Sequence, residues 1–157
     1  MTAAELLLWG ALAAAVQATL MGGAQQLGLS RMSFPFILGT VFTPNRDLAS
    51  AVGFVAHLAL GWVLALVYDL IFQRLGWADV WLGAGLGLGH ALFVLFALMP
   101  IIPGLHPRMA SERAGPDPTH ALEPPGLMAL NYGRWTSAVT VIAHVAYGAV
   151  LGAAWHP

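Results

Sequence analysis

The sequence has no cysteine, no lysine and few charged residues of either sign. Without cysteine there is no disulfide, no thiolate nucleophile and no cysteine-ligated metal or iron–sulfur cluster. Without lysine, a Schiff base to retinal or pyridoxal is impossible. Only 8% of the 157 residues are charged and the net charge is −1, whereas about 25% is usual in soluble domains. These values exclude a conventional soluble domain and a basic surface that binds nucleic acid.

Long apolar runs are what the sequence has instead. A bilayer core of about 30 Å requires about 20 apolar residues per helix. Spans are predicted at residues 6–30, 48–70, 80–103 and 135–155. The runs are continuously apolar rather than alternating, which indicates helices and not the strands of a membrane barrel. We therefore predict an all-α polytopic membrane protein, one domain folded as an up-down bundle of four transmembrane helices.

The arginines predict the orientation of the bundle. The connections at 31–47 and 104–134 and the start of the last span hold five of them, Arg31, Arg46, Arg108, Arg113 and Arg134, against Arg74 alone on the other side. By the positive-inside rule both connections are cytoplasmic and both termini lie outside, in a bacterial inner membrane. The apolar run Phe34–Phe42 is too short to cross, which predicts that the segment 31–47 lies in the interface or enters the membrane as a partial re-entrant segment. The prolines of 104–134 predict a largely extended loop, the alternative being a loop ordered by a partner.

An internal repeat is indicated by a shift of 87 residues. The shift aligns Ser50–Leu64 with Ser137–Leu151, and nine of these fifteen positions are identical. A weaker register, offset by 73, aligns Gly10 with Gly83 and Gln17 with His90. The pattern favours a duplication of two plus two helices with parallel repeats; the alternative is convergence of low-complexity apolar sequence.

Histidines dominate the polar residues inside the predicted spans. His57 and His144 occupy equivalent positions of the repeat, and alternate helices of such a bundle lie diagonally across its core. We expect these two side chains to face each other, with His90 and Gln17 about one turn deeper. Ionisable residues inside a membrane are costly and mark functional sites by default. The alternative is a neutral histidine that only bonds a backbone carbonyl or a hydroxyl group.

A glycine follows each repeated histidine at i+4, namely Gly61 and Gly148, so that each imidazole has open space one turn away. Two imidazoles across a bundle with small neighbours suit a b-type haem, and imidazole also binds transition metals. We therefore expect His57 and His144 to hold a haem or a metal ion, with His90 as a third metal ligand, and a chlorin pigment as a further alternative. Asp69 and Asp79 are expected at the outer surface, away from this site.

Two further groups of residues carry predictions. The small-xxx-small pairs Gly83/Gly87 and Gly85/Gly89 predict close helix packing, within the chain or with other membrane subunits or a second copy. Polar residues at the cytoplasmic ends of the third and fourth spans are auxiliary candidates for binding headgroups, a prosthetic group or a partner, the alternative being loop anchoring: His106, Arg108, Asn131 and Tyr132.

The HxxxG motifs of the second and fourth spans, the segment Met99–Met109 and LNYG at Leu130–Gly133 resemble a family of small uncharacterised bacterial membrane proteins with four predicted helices. The resemblance covers most of the chain and implies fold and location, with no assigned activity. Three functions are consistent with these features. They are a bundle holding a prosthetic group, non-enzymatic or at most redox-active; an accessory or scaffold subunit of a larger membrane complex; and a small transporter or channel.

Overall fold

The computed structural model describes residues 1–156, and this part of the chain forms helices and no β-strand. The all-α prediction is confirmed. The helices are α1 (Ala3–Gln26), α2 (Phe34–Phe42), α3 (Arg46–Leu75), α4 (Val80–Phe93), α5 (Met99–Leu105) and α6 (Thr136–Ala154). A π-helical turn at Val94–Leu98 joins α4 to α5, and a 3₁₀ segment lies at Leu127–Tyr132.

Over residues 1–156, four helices are long and apolar enough to cross a membrane: α1, α3, α6 and the continuous α4–α5 rod, Val80–Leu105. The first helix ends at Gln26 rather than at residue 30, because Gly28 takes the left-handed conformation that stops helices, with φ of +71°. The rod continues to Leu105 through Pro100 and Pro103. This multi-pass architecture agrees with the four predicted spans.

Large apolar side chains cover the outside of the bundle, and several small residues are buried inside it. Val55 and Val63 of α3 are 66% and 60% exposed, whereas Ala13, Ala14 and Ala143 are fully buried. Such a surface suits hydrocarbon as solvent, because lipid tails are as apolar as these side chains. Small inward residues let the helix backbones approach one another closely.

Three sides of the four-helix bundle are closely packed. The first helix packs on both α3 and α6, and α4 packs on α6. Helices α3 and α6 make a few contacts across the diagonal, as the up-down order requires. The fourth side, between α3 and α4, is not closely packed in residues 1–156, although only residues 76–79 connect the two helices. The bundle is therefore open on that side.

Glycines bring α4 and α6 into direct backbone contact. A Cβ atom on Gly83 would collide with the carbonyl of Gly148, and one on Gly87 would collide with the backbone of α6. Gly83 and Gly87 are thus used for close packing inside the chain, which is one of the two alternatives predicted for them. A Cβ on Gly85 or Gly89 would meet nothing within 4 Å, so the interface prediction for these two residues stays a prediction.

The interfacial segment contains the helix α2, which lies against α3 backbone to backbone. A Cβ on Gly39 would collide with the carbonyl of Ala49, and one on Gly53 with the carbonyl of Pro35. Nine helical residues rise only about 13 Å at about 1.5 Å each, too short to cross a bilayer. The second helix therefore lies alongside the N-terminal part of α3 and is not a span of its own.

Gly53→Ala is expected to undock α2 while the four long helices stay folded. The new methyl group would overlap the Pro35 carbonyl, and a short helix can detach without unfolding the bundle. Ile37 is 3% exposed on the docked helix, and the chain has no cysteine, so a thiol introduced by Ile37→Cys reports docking. We expect its maleimide labelling to accelerate at least about ten-fold. In the control Gly23→Ala, whose Cβ meets nothing within 4 Å, labelling stays slow; equal rates in both would contradict the prediction.

The loop between the rod and α6 folds back on itself, which corrects the expectation of an extended loop. The Ala110 N–H donates to the Leu122 carbonyl at 3.0 Å, and the Leu122 N–H donates to the Arg108 carbonyl at 3.0 Å. The Arg31 guanidinium pairs with the Glu123 carboxylate at 3.0 Å. Contacts within the chain therefore order the loop.

Asp69 lies at the end of the bundle that holds the two termini, and its side chain is buried there. Its side chain accepts hydrogen bonds from the Trp155 indole N–H at 2.9 Å and from the Gln73 amide at 2.7 Å. The Met1 amino nitrogen lies 3.3 Å from the same carboxylate. The residue is 4% exposed, and its three partners provide the hydrogen bonds that a buried polar group requires.

Candidate functional site

A cavity of about 160 Å³ lies between the four long helices. Its wall is mainly apolar, with side chains such as Met21, Leu64 and Val94. Polar side chains reach it from every long helix: Gln17 from α1, His57 from α3, His90 from α4, and Thr140, His144 and Tyr147 from α6.

The cavity brings together most of the predicted site residues. Gln17, His57, Gly61, His90 and His144 all line it. Gly148 does not, because it faces Gly83 in the interface between α4 and α6. The open position that follows each repeated histidine is therefore filled by a neighbouring helix at Gly148, while Gly61 both contacts Ala14 of α1 and borders the cavity.

His57 is buried without a hydrogen bond. Both of its ring nitrogens are inaccessible and have no partner among the described residues. The Ala14 carbonyl faces the ring but makes no hydrogen bond of normal geometry with it. The Phe34 ring packs against the imidazole edge to face, with centroids 6.1 Å apart. An unpaired buried donor and acceptor cost about 1–3 kcal/mol each, so this side chain requires a ligand or a water molecule.

His90 and His144 lie against each other on another wall of the cavity. Their ring centroids are 4.6 Å apart and their planes are nearly perpendicular. The His144 Nδ1 lies 2.8 Å from the Thr140 carbonyl; a carbonyl only accepts, so Nδ1 carries the proton and Nε2 is left as an acceptor. The His90 Nδ1 lies 3.4 Å from the Tyr68 hydroxyl. These two histidines are partly satisfied, in contrast to His57.

Two tyrosines of the site were not predicted. Tyr147 donates a 2.7 Å hydrogen bond from its hydroxyl to the Gly61 carbonyl and so ties α6 to α3. Tyr68 packs on Tyr147 with ring centroids 5.6 Å apart. The spacing of three residues between His144 and Tyr147 places both on one face of α6 and is a signal that could have found Tyr147. Tyr68 has no such signal.

The rod is locally wider beside the cavity. Val94–Leu98 is a π-helical turn in which the Met99 N–H bonds the Val94 carbonyl. Both Val94 and Leu98 line the cavity. Such turns insert one extra residue into an α-helix and often occur at functional sites. The turn thus begins one helical turn after His90 on the cavity wall.

The auxiliary polar residues anchor loops and do not line the cavity. His106 Nε2 lies 3.0 Å from the Ile37 carbonyl, and Arg108 donates to the Thr40 and Val41 carbonyls at the end of α2. The two side chains therefore hold α2 by its orphan carbonyls.

Asn131 and Tyr132 stabilise the loop in the same way. The Asn131 amide donates to the Pro124 carbonyl at 2.9 Å, and the Tyr132 hydroxyl donates to the Glu123 carbonyl. Burial and the Glu123 carboxylate raise the pKa of Tyr132 to about 12. Its phenol is therefore protonated at neutral pH and acts as a donor.

The docking of α2 is expected to weaken as the pH falls. The His106 Nδ1 accepts the Arg108 N–H at 3.1 Å, so Nε2 carries the proton given to Ile37. Burial lowers the pKa of His106. At a pH between the ordinary histidine pKa of about 6.5 and the lowered pKa, His106 is protonated in the unfolded chain but neutral in the folded one. The stabilisation by His106 is therefore full above pH 6.5 and is lost as the pH falls below it. The maleimide labelling rate of Ile37→Cys, divided by that of a free thiol at the same pH, should therefore rise between pH 7.5 and 5.5. Adding His106→Gln should remove this rise; an equal rise with and without His106→Gln would contradict the prediction.

The expected prosthetic groups do not match the site well. Among residues 1–156 there is no group of three histidine or acidic side chains that could hold a metal ion. A tetrapyrrole is larger than most drug-sized ligands, which occupy roughly 300–1,000 Å³, whereas the cavity is about 160 Å³. Haem, chlorin or a metal therefore has no support from this geometry.

Comparison of the chain with family models, with curated proteins and with solved structures finds no match. The resemblance to bacterial four-helix membrane proteins stays a prediction. The cavity and its histidines are thus the features from which a function can be inferred.

Proposed function

We propose that this multi-pass membrane protein binds a small ligand in the cavity between its helices, with His57 as the main polar contact. The observation that supports this is the pair of buried, unpartnered ring nitrogens of His57 on the cavity wall. His90, His144 and Gln17 are the further polar groups within the same cavity. Cavities with an apolar wall and a few converging polar groups are typical of small-molecule sites.

A neutral ligand suits this site better than a charged one. No carboxylate or guanidinium lines the cavity in the part of the chain that is described. Two imidazoles in contact, such as His90 and His144, cannot both carry charge cheaply in an apolar interior. A ligand that is itself neutral and forms hydrogen bonds is therefore favoured over a free ion.

The test is the ligand content of purified protein. Wild-type protein in nanodiscs should carry about one small molecule per chain by native mass spectrometry, either as purified or after incubation with a total lipid extract. His57→Phe should lose it, because phenylalanine keeps the ring but has no hydrogen-bonding nitrogen. The control His156→Phe removes an exposed imidazole outside the cavity and should retain the molecule. Equal ligand content in wild type and His57→Phe, or none in the wild type, would refute the proposal.

The absorption spectrum of the same sample shows whether the protein contains a prosthetic group predicted from the sequence. A Soret or chlorin band would require α3 and α4 to separate enough to admit a tetrapyrrole. A spectrum without either band, together with metal content below stoichiometry, would remove haem, chlorin and metal. The accessory-subunit and transporter functions stay predictions, and co-purification and flux in proteoliposomes test them.

We also propose the two-plus-two duplication and the predicted orientation. Two glycine contacts support the duplication: Gly10 lies against α3 near Gly61, and Gly83 lies against Gly148 of α6. These four positions are the ones that the two sequence registers align. An experimental structure whose halves fail to superpose about the membrane normal would exclude the repeat. Cysteine labelling at each terminus from outside the cell tests whether both termini lie outside the bacterial inner membrane.

A further inference from the structure

The cavity reaches the surface of the bundle on its open side. Leu60 of α3 and Phe93 of α4 line the cavity and are 37% and 63% exposed. The two helices make few contacts with each other, and one of them joins the Tyr68 hydroxyl to His90. Because both residues lie within membrane-spanning helices, this opening faces lipid and not water.

The size of the cavity limits what can enter it. Its volume is about 160 Å³, close to the roughly 150 Å³ of an engineered apolar cavity that binds benzene. One six-membered ring therefore fills it. A polycyclic group is too large for the site.

The polar groups on the wall define the substituents on that ring. A neutral imidazole has one donor and one acceptor nitrogen, and both are unpartnered in His57. Gln17 adds an amide with both functions and is 6% exposed. A hydrocarbon ring would leave these groups unpaired, whereas a hydroxyl or carbonyl oxygen would satisfy them.

Resting on the proposed function, we infer that the ligand is a lipid-soluble molecule with one six-membered ring that bears a hydroxyl or carbonyl oxygen, the class of phenols and quinones. The ring enters from the bilayer between α3 and α4. His57 and Gln17 bind its oxygen, and a hydrocarbon tail remains in lipid between Leu60 and Phe93. Quinones add covalently to thiols and lysine amines, and the chain has neither.

Three probes test this inference in nanodiscs: para-cresol, para-octylphenol and toluene. Affinity is measured by calorimetry for wild type and His57→Phe and is corrected for partition into the bilayer. Both phenols should bind the wild type with similar affinity, because the octyl tail stays outside the cavity. His57→Phe should weaken both by about ten-fold and leave toluene unchanged. Gln17→Leu is the second variant, with an expected loss in the same direction should His57→Phe not fold.

The outcomes separate the two proposals. Equal binding of para-cresol by wild type and both variants, or binding of para-cresol without para-octylphenol, would overturn the ligand class or the lateral entry while leaving ligand binding in the cavity intact. If all three probes fail to bind and purified protein carries no ligand, the proposed function itself fails. Leu60→Trp adds a direct test of the opening, because it should weaken para-octylphenol more than para-cresol.

Discussion

Gly148→Ala is expected to lower the free energy of unfolding by about 3 kcal/mol, the upper part of the range for overpacking a close interface. The added Cβ would overlap the carbonyl of Gly83 and lie 3.0 Å from the backbone nitrogen of Gly87. Backbone atoms cannot rotate away as a flexible side chain can, so α4 and α6 must move apart. The measurement is the unfolding midpoint in a detergent–denaturant titration of the purified protein.

The matched control is Gly85→Ala on the same helix α4, whose Cβ meets nothing within 4 Å. It should be neutral or stabilising by up to about 1 kcal/mol, because alanine is the better helix former. The double variant Gly83→Ala with Gly148→Ala should cost less than the sum of the single variants, since one separation relieves both collisions. Additive costs, or a stable Gly148→Ala, would show that the backbones are not in contact.

Asp69→Leu is expected to cost about 2 kcal/mol. The substitution leaves the half-buried Trp155 indole N–H without its acceptor, whereas the Gln73 side chain is exposed and can turn its amide to water. An unsatisfied buried donor costs about 1–3 kcal/mol. Asp69→Asn keeps one acceptor oxygen and should cost about half as much. The same unfolding titration measures both changes.

Trp155→Phe provides the background that separates hydrogen bonding from packing. It removes the indole donor but keeps an aromatic ring beside Phe72, which lies 6.1 Å from the Trp155 ring. Asp69→Leu should cost less in this background than in the wild type, because the donor that the substitution strands is already gone. An equal cost in both backgrounds would mean that the hydrogen bond to Trp155 contributes nothing.

The residues of the cavity were largely predictable from sequence because polar side chains are rare in the spans. Gln17, His57, His90 and His144 stand out against continuous apolar sequence, and helices of an up-down bundle direct such side chains inward. The predicted equivalence of His57 and His144 does not extend to their contacts. His144 bonds the carbonyl of Thr140 one turn earlier, whereas His57 bonds nothing.

The contacts of the glycines could not be predicted from the sequence. Gly83 and Gly85 belong to one run and have the same local spacing, yet one contacts α6 and the other faces open space. Helical periodicity places them on different faces but does not say which face meets a neighbour. The contacts of Asp69 could not be predicted either: its place near the end of a span indicated the outer side of the membrane, and Trp155, distant in sequence, covers it.

The sequence alone determined the class of this protein: an all-helical, multi-pass membrane bundle of four long helices, because six arginines and seven acidic residues among 157 cannot cover a soluble domain. Only the tertiary structure decided which histidine is unpartnered, which glycines are used within the chain and where the bundle opens toward lipid. Composition and hydrophobic periodicity are properties of a whole helix, and they reflect the solvent that surrounds the helix. The rotation and separation of helices depend instead on contacts between residues far apart in the chain, such as Tyr147 with Gly61.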